Sequence, residues 1–153
     1  ALRRDVLRRV RARARGDDDA FCRGSLRPGA WRKEHDALRT VATCIAEERR
    51  QVDVVARYGG EEFAVILPTT PRGGAIGLAE ALRALVFASR VRRSGDKEAL
   101  IGNMSVSIGV ADYLGGESAS EFVARADRAL YTAKMQGRNR VILAPRSQPA
   151  ASR

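Results

Sequence analysis

The sequence predicts an α+β domain: a mixed or antiparallel sheet with helices packed over it. Three observations lead there. Two apolar, β-prone runs, Val52–Val55 and Phe63–Pro68, bracket Gly59-Gly60, which is a hairpin pattern. Val106, Ile108 and Val110 alternate with Ser105, Ser107 and Gly109, as in a strand with one buried face. Segments with apolar residues at helical spacing separate these strands, which places helices over a sheet.

In chain order, residues 1–15 read as a basic helix with Leu2, Val6, Leu7 and Val10 as its apolar positions, ended by Gly16 and Asp17-Asp18-Asp19. Residues 22–34 have no clear period and contain two Gly and a Pro, so they read as loop. A helix is expected over 36–49, with Leu38, Val41, Ala42 and Ile45 on one face. The hairpin comes next. A helix over 73–89 follows, with Ile76, Ala79, Leu82 and Val86 in register, and the last helix covers 120–136. Gly137 stands where a helix stop belongs, and 140–144 form a short final strand. The organisation expected is a region 1–35 apart from the core, a core over 36–144, and a disordered tail over 145–153.

At 153 residues the chain is about one domain long. It has no run of roughly 18 apolar residues and no signal-peptide pattern, so no membrane segment is expected. Two cysteines, Cys22 and Cys44, lack metal-ligand spacing and fit a reducing, cytoplasmic setting. The formal net charge is +10, and lysine occurs only at Lys33, Lys97 and Lys134, so arginine carries the excess. Such a balance suits solvated helix faces or an anionic partner. No aromatic stripe or nucleic-acid motif accompanies it, so a nucleic-acid partner is not expected.

The chemistry concentrates at the hairpin turn. Gly59 and Gly60 allow a tight turn and a close approach of backbone to a ligand. Glu61 and Glu62 put hard oxygen ligands at the same spot, suited to Mg²⁺ or Mn²⁺ and to phosphate chemistry. A Gly-Gly turn with charged neighbours is also an ordinary hairpin, and the tetrapeptide by itself leaves both readings open. Lys134 and Arg138, four apart, would share a face of a continuous helix and hold a phosphate tail, Arg by its fork and Lys as a point charge. A basic helix end favoured by the macrodipole has the same composition. His35, the single histidine, has no partner constellation.

Arg57-Tyr58-Gly59-Gly60-Glu61-Glu62-Phe63 resembles the signature of the GGDEF family of diguanylate cyclases, in its GGEEF form. The resemblance covers roughly residues 36 to 143. It includes Ser105–Val110, Arg125–Lys134 and Gly137-Arg138-Asn139, in the family's order and spacing. It implies a nucleotide-cyclase fold of the ferredoxin-like palm type and condensation of two GTP into cyclic di-GMP plus pyrophosphate. Glu61 would then be a metal-binding carboxylate and Glu62 its support; Gly59, Gly60, Lys134 and Arg138 would hold GTP. One GTP per domain implies a homodimer, commonly paired by an upstream sensory or receiver domain. Arg50 and Asp53 form an R-x-x-D five residues before Gly59, which the family uses to bind its own product. The resemblance thus also allows a catalytically inactive receptor for cyclic di-GMP.

The match is interrupted upstream. Asp17-Asp18-Asp19-Ala20-Phe21 resembles the family's D-x-D-x-F, which would make Asp17 a second metal ligand. Cys22 stands where Lys is expected, and Ser25 and Leu26 stand where the guanine-recognising Asn and Asp belong. No apolar strand precedes Asp17, so the first strand is expected to be missing and activity to be impaired. The match resumes abruptly at Asp36, one residue out of count, the pattern that a shifted reading frame over 22–35 leaves.

Overall fold

The computed structural model describes residues 8, 19–27, 34–89, 91–92, 100–101 and 104–146. The 1–15 helix expectation falls outside them except at Arg8, which is helical, and so does the 147–153 part of the tail. A five-stranded sheet is built from β1 (Ala20–Arg27), β2 (Val54–Arg57), β3 (Glu62–Leu67), β6 (Ser105–Asp112) and β7 (Val141–Leu143), in the order β2-β3-β1-β6-β7. The helices are α1 (Glu34–Glu48), α2 (Arg72–Ala88) and α3 (Ala119–Met135), each within two residues of its expected start and one of its expected end. β4 (Val91–Arg92) and β5 (Leu100–Ile101) pair separately as a short ribbon the sequence did not announce.

One expectation is overturned. The stretch expected to be loop begins with a strand, and the sheet does not lack a first strand: β1 lies at its centre, antiparallel to both β3 and β6. Ala20 faces Leu67 and Asp112; Ser25 faces Glu62 and Ser107. The pattern was unreadable because both faces of β1 are covered, so its apolar residues do not alternate with polar ones. Ala20, Phe21 and Cys22 are fully buried. Gly24 looks like a breaker but answers to its neighbour: a Cβ there would stand 2.0 Å from Cζ of the Phe63 ring. Backbone bonds to a strand on each side supply what local propensity does not.

Alternation along the strands divides the core into two layers. Ala20, Cys22, Phe63, Val65, Leu67, Val106, Ile108 and Val110 pack with Val41, Cys44 and Ile45 of α1 and Ala75, Ala79, Leu82 and Val86 of α2. Phe21, Ala64, Ile66 and Ala111 pack on the other face with Phe122, Val123, Ala126 and Ala129 of α3. Each fully buried aliphatic or aromatic side chain here contributes roughly 1.5–3 kcal/mol. Burial also pushes the Cys22 thiol up to about 12, with the charge of Asp53 adding to the effect.

α3 is fixed along its length. At its start Ser118 and Glu121 form a reciprocal capping box, and the bonds from Ser118 hold the Glu121 carboxyl below its usual range. In its middle, Gly109 of β6 lets the helix lie directly on the sheet: a Cβ there would come within 2.2 Å of the Ala126 carbonyl oxygen and 2.4 Å of the Leu130 nitrogen. Arg125, buried, donates to the Asp112 carbonyl oxygen and to Glu117 Oε1 at 2.9 Å, tying the helix to the end of β6. Burial raises the Glu117 carboxyl above its ordinary value, against the pull of Leu114 N–H and Arg125. At the C-terminus Gly137 takes φ 107° and Arg138 N–H bonds the Ala133 carbonyl at 2.9 Å, closing the helix in a Schellman pattern.

Candidate functional site at the hairpin turn

The turn between β2 and β3 is closed by backbone bonds from Tyr58 N–H and Gly59 N–H to the Glu62 carbonyl, at 2.8 and 3.2 Å. Arg57 braces it from outside, donating to the Gly59 and Gly60 carbonyls at 3.1 and 3.0 Å. The glycines do not serve the turn as the sequence suggested. Among the described glycines, only Gly116 and Gly137 have positive φ, so Gly59 and Gly60 are not required for a left-handed bend. What remains is space. Gly60 is exposed and a Cβ there would meet nothing within 4 Å, while a Cβ at Gly59 would stand 3.0 Å from Glu62 Oε2.

Because Glu62, Arg23 and α3 lie on the same face of the sheet, the end of the hairpin meets one side of that helix. Glu62 Oε1 is 3.6 Å from Lys134 Nζ, and Glu62 Oε2 accepts from Arg23 Nη2 at 2.8 Å. The other Arg23 Nη donates to Asp127. The Arg23 guanidinium lies over the Tyr58 ring, 3.7 Å from Cζ to the centroid, an arrangement that adds cation–π attraction to two ion pairs. The Arg23 side chain is 11% exposed; those of Glu62, Asp127 and Lys134 are about a third exposed or less. Buried Arg23 Nε has no hydrogen-bond partner among the described residues.

The sequence therefore named Gly59, Gly60, Glu61, Glu62 and Lys134 as one locality, and the structure brings them together. Arg138 lies just past the end of α3, not on a continuous helix with Lys134. Its φ is 62° and that of Asn139 is 45°, two consecutive residues in the left-handed region, which side chains other than Asn and Asp enter rarely. The Asn139 carbonyl oxygen of the side chain accepts from Arg83 at 3.2 Å, and Arg138 itself is exposed rather than turned inward. Asp17 lies outside the described residues. Sequence reasoning missed Arg23, Asp127 and Tyr58. Arg23 was hidden in the stretch expected to be loop, although the small residues Ala20, Cys22 and Gly24 on alternate positions are what a strand pressed under bulky partners carries.

Arg50 and Asp53 stand apart from this cluster, on the approach to β2. Asp53 is 3% exposed and accepts from the Arg50 backbone N–H and from Arg50 Nη2, each at 2.8 Å. Arg50 Nη2 also reaches the Pro68 carbonyl at 2.9 Å and the Thr70 hydroxyl. The hydrogen bond to Asp53 raises the Arg50 guanidinium further above its ordinary value. A third feature is a cavity of about 330 Å³ beside α3, lined by Arg125, Arg128, Ala129, Thr132 and Ile142 among others.

A divalent ion needs several hard oxygens converging on it. Among the described residues no group of three His, Cys, Asp or Glu side chains could hold a metal ion. Glu62 and Asp127 are bridged by Arg23, so this pair does not fit a metal between its carboxylates. Glu61, partly exposed at the turn, stands outside that bridge.

This geometry has relatives. The model of "Diguanylate cyclase, GGDEF domain" matches residues 35–140, beginning where the motif match resumes. The chain is 43% identical over 115 residues to diguanylate cyclase A of Treponema denticola, covering 74% of this chain and 30% of that protein. It is 45% identical over 112 residues to diguanylate cyclase DgcM of Escherichia coli K12, covering 73% and 26%. It thus spans less than a third of the length of these relatives. Among solved structures, the coiled coil and GGDEF domain of DgcB from Caulobacter crescentus, in complex with c-di-GMP, superposes with a TM-score of 0.76 at 31% identity, over 92% of this chain and 78% of that one. The active GGEEF domain of a diguanylate cyclase from Vibrio cholerae shares the fold at the same TM-score and 23% identity, over 96% and 100%. Signature turn, superposed fold and matched span agree, and the chain belongs to the GGDEF family.

Proposed function

We propose that this chain is the GGDEF portion of a diguanylate cyclase and that its hairpin and the end of α3 bind the phosphates of GTP. One observation carries the reading: Lys134 lies 3.6 Å from Glu62, so a cation from the helix end sits at the glycine turn. Gly60 leaves room for a nucleotide against the backbone. Lys134 gives a point charge, and Arg138, exposed beyond the Gly137 turn, gives a planar fork. Glu61, partly exposed beside Gly60, is the carboxylate open to the bound nucleotide.

In the reaction, a 3′-hydroxyl of one GTP forms a bond to the α-phosphorus of another and pyrophosphate leaves. The relatives' activity implies a divalent cation, Mg²⁺ or Mn²⁺, which polarises phosphate when bound. Ser25 and Leu26 stand where the resemblance expects guanine-recognising groups. A site that loses its hydrogen-bonding side chains loses most of its discrimination. The chain therefore binds GTP and turns it over slowly. One GTP per domain also calls for two copies facing each other.

Titration with GTP, followed by a turnover assay beside Glu61→Ala, tests this. Binding with little cyclic di-GMP is expected. Turnover near the ~10 s⁻¹ median of enzymes refutes the impairment, and absence of GTP binding refutes the site. A second reading, a receptor for cyclic di-GMP, rests on the Arg50 guanidinium, whose side chain is 48% exposed over a buried Asp53. It predicts binding of cyclic di-GMP that Arg50→Ala abolishes, with no binding of GTP.

A further inference from the structure

Arg23 is the least expected group in the site. A positive side chain on the central strand reaches between two carboxylates from different elements, Glu62 on β3 and Asp127 on α3. It is 11% exposed and its plane is covered by Tyr58. Its planar fork of donors meets both carboxylates at once. It does for these oxygens what a bound cation does: it neutralises them and fixes their separation, with directional bonds in place of coordination. Lys134 adds a second positive charge to Glu62 from the solvent side. Arg23 and Lys134 together balance Glu62 and Asp127, and a doubly charged ion entering between them would have to displace the guanidinium and leave its charge enclosed without a partner.

We propose that Arg23 is a built-in cation standing between Glu62 and Asp127 in place of a divalent ion, so that the hairpin takes up the phosphates of a nucleotide without metal. The uptake half rests on the GTP reading above; the exclusion of an ion from between Glu62 and Asp127 does not. Glu62 and Asp127 are held by the protein's own charges, and the phosphates meet Lys134 and Arg138 directly. The ligand class is a nucleoside triphosphate in its metal-free form.

Two measurements test it. Mn²⁺ alone is titrated into the chain and into Arg23→Ala, with bound ion read by electron paramagnetic resonance. Removing the guanidinium frees two facing carboxylates, so Arg23→Ala is expected to bind Mn²⁺ at least about tenfold more tightly than the unaltered chain. Equal binding by both overturns the proposal. Should circular dichroism show Arg23→Ala to be unfolded, Arg23→Gln takes its place, keeping the bulk and losing the charge. GTP is titrated into the unaltered chain by calorimetry, in EDTA and in Mg²⁺, and needs no variant. Affinities within about fivefold of each other are expected, and a greater loss in EDTA overturns metal-free uptake. If GTP binds in neither buffer, the nucleotide reading and the uptake half fall together, and the Mn²⁺ comparison still decides whether Arg23 holds the place of an ion.

Discussion

Gly60 and Cys22 show how differently a single residue can be constrained. Gly60 has neither a positive φ nor a neighbour within reach of a Cβ, so the fold does not need it. Gly60→Ala is expected to leave stability unchanged or raise it by about 0.4–1 kcal/mol, through a stiffer unfolded chain. The same methyl group stands where a nucleotide would rest, so GTP affinity should fall about tenfold, roughly 1.4 kcal/mol. Thermal unfolding and calorimetry on one sample separate the two effects; a loss of stability would show that the glycine serves the turn. Lys134→Ala should likewise cost about tenfold in GTP affinity with little change in melting, since its ion pair with Glu62 is part-exposed. Cys22 is the opposite case. Its thiol ionises near 9 when free and near 12 in the fold. A raised pKa means that the folded form holds the proton longer. Its contribution to stability is therefore complete below about 9 and is lost as pH rises through about 12, at about 1.4 kcal/mol per pH unit in that window. Cys22→Ala should lose stability less steeply over the same alkaline range in denaturant titrations.

At the scale of elements, the three helices were legible because each carries one apolar stripe that a period of 3.6 exposes. The hairpin was legible from its glycine pair. β1 was not, because what makes Ala20–Arg27 a strand lies elsewhere in the chain: the Phe63 ring over Gly24, the carboxylates that accept Arg23, and ladders on both sides. The same division runs through the site. Lys134 and the hairpin came from motif spacing, whereas Arg23, Asp127 and Tyr58 meet only across three elements. The contact between α3 and β6 makes a sharp prediction. A side chain at Gly109 would meet backbone atoms of α3, which cannot rotate away as a side-chain tip does. Gly109→Val should destabilise the domain by about 3 kcal/mol or more and lower GTP affinity too, because the helix that carries Lys134 is pushed off the sheet. A variant that melts normally would show that α3 does not lie so close.

For the whole molecule, the catalytic reading requires that two copies meet, since joining two GTP molecules takes two hairpins. Cyclic di-GMP formation should then rise with the square of chain concentration, and fusing a dimeric coiled coil upstream should raise it and make it linear. A rate linear in the unfused chain would mean that one copy suffices. The matched relatives are several times longer than the stretch they share with this chain, which leaves ample sequence in them for such pairing.

The central strand has a wider consequence. Arg23 lies on the α3 face of β1 while its neighbours Cys22 and Gly24 lie on the face packed by α1 and α2. Sliding β1 by one position would drive a guanidinium into the aliphatic layer, take from Asp127 its arginine partner and leave Glu62 with Lys134 alone. The charge at the mouth of the site thus acts as an alignment pin. Errors of pairing during folding would be rejected by electrostatics before side-chain fit was ever tested, and a protein with Arg23 made neutral should lose fidelity of assembly.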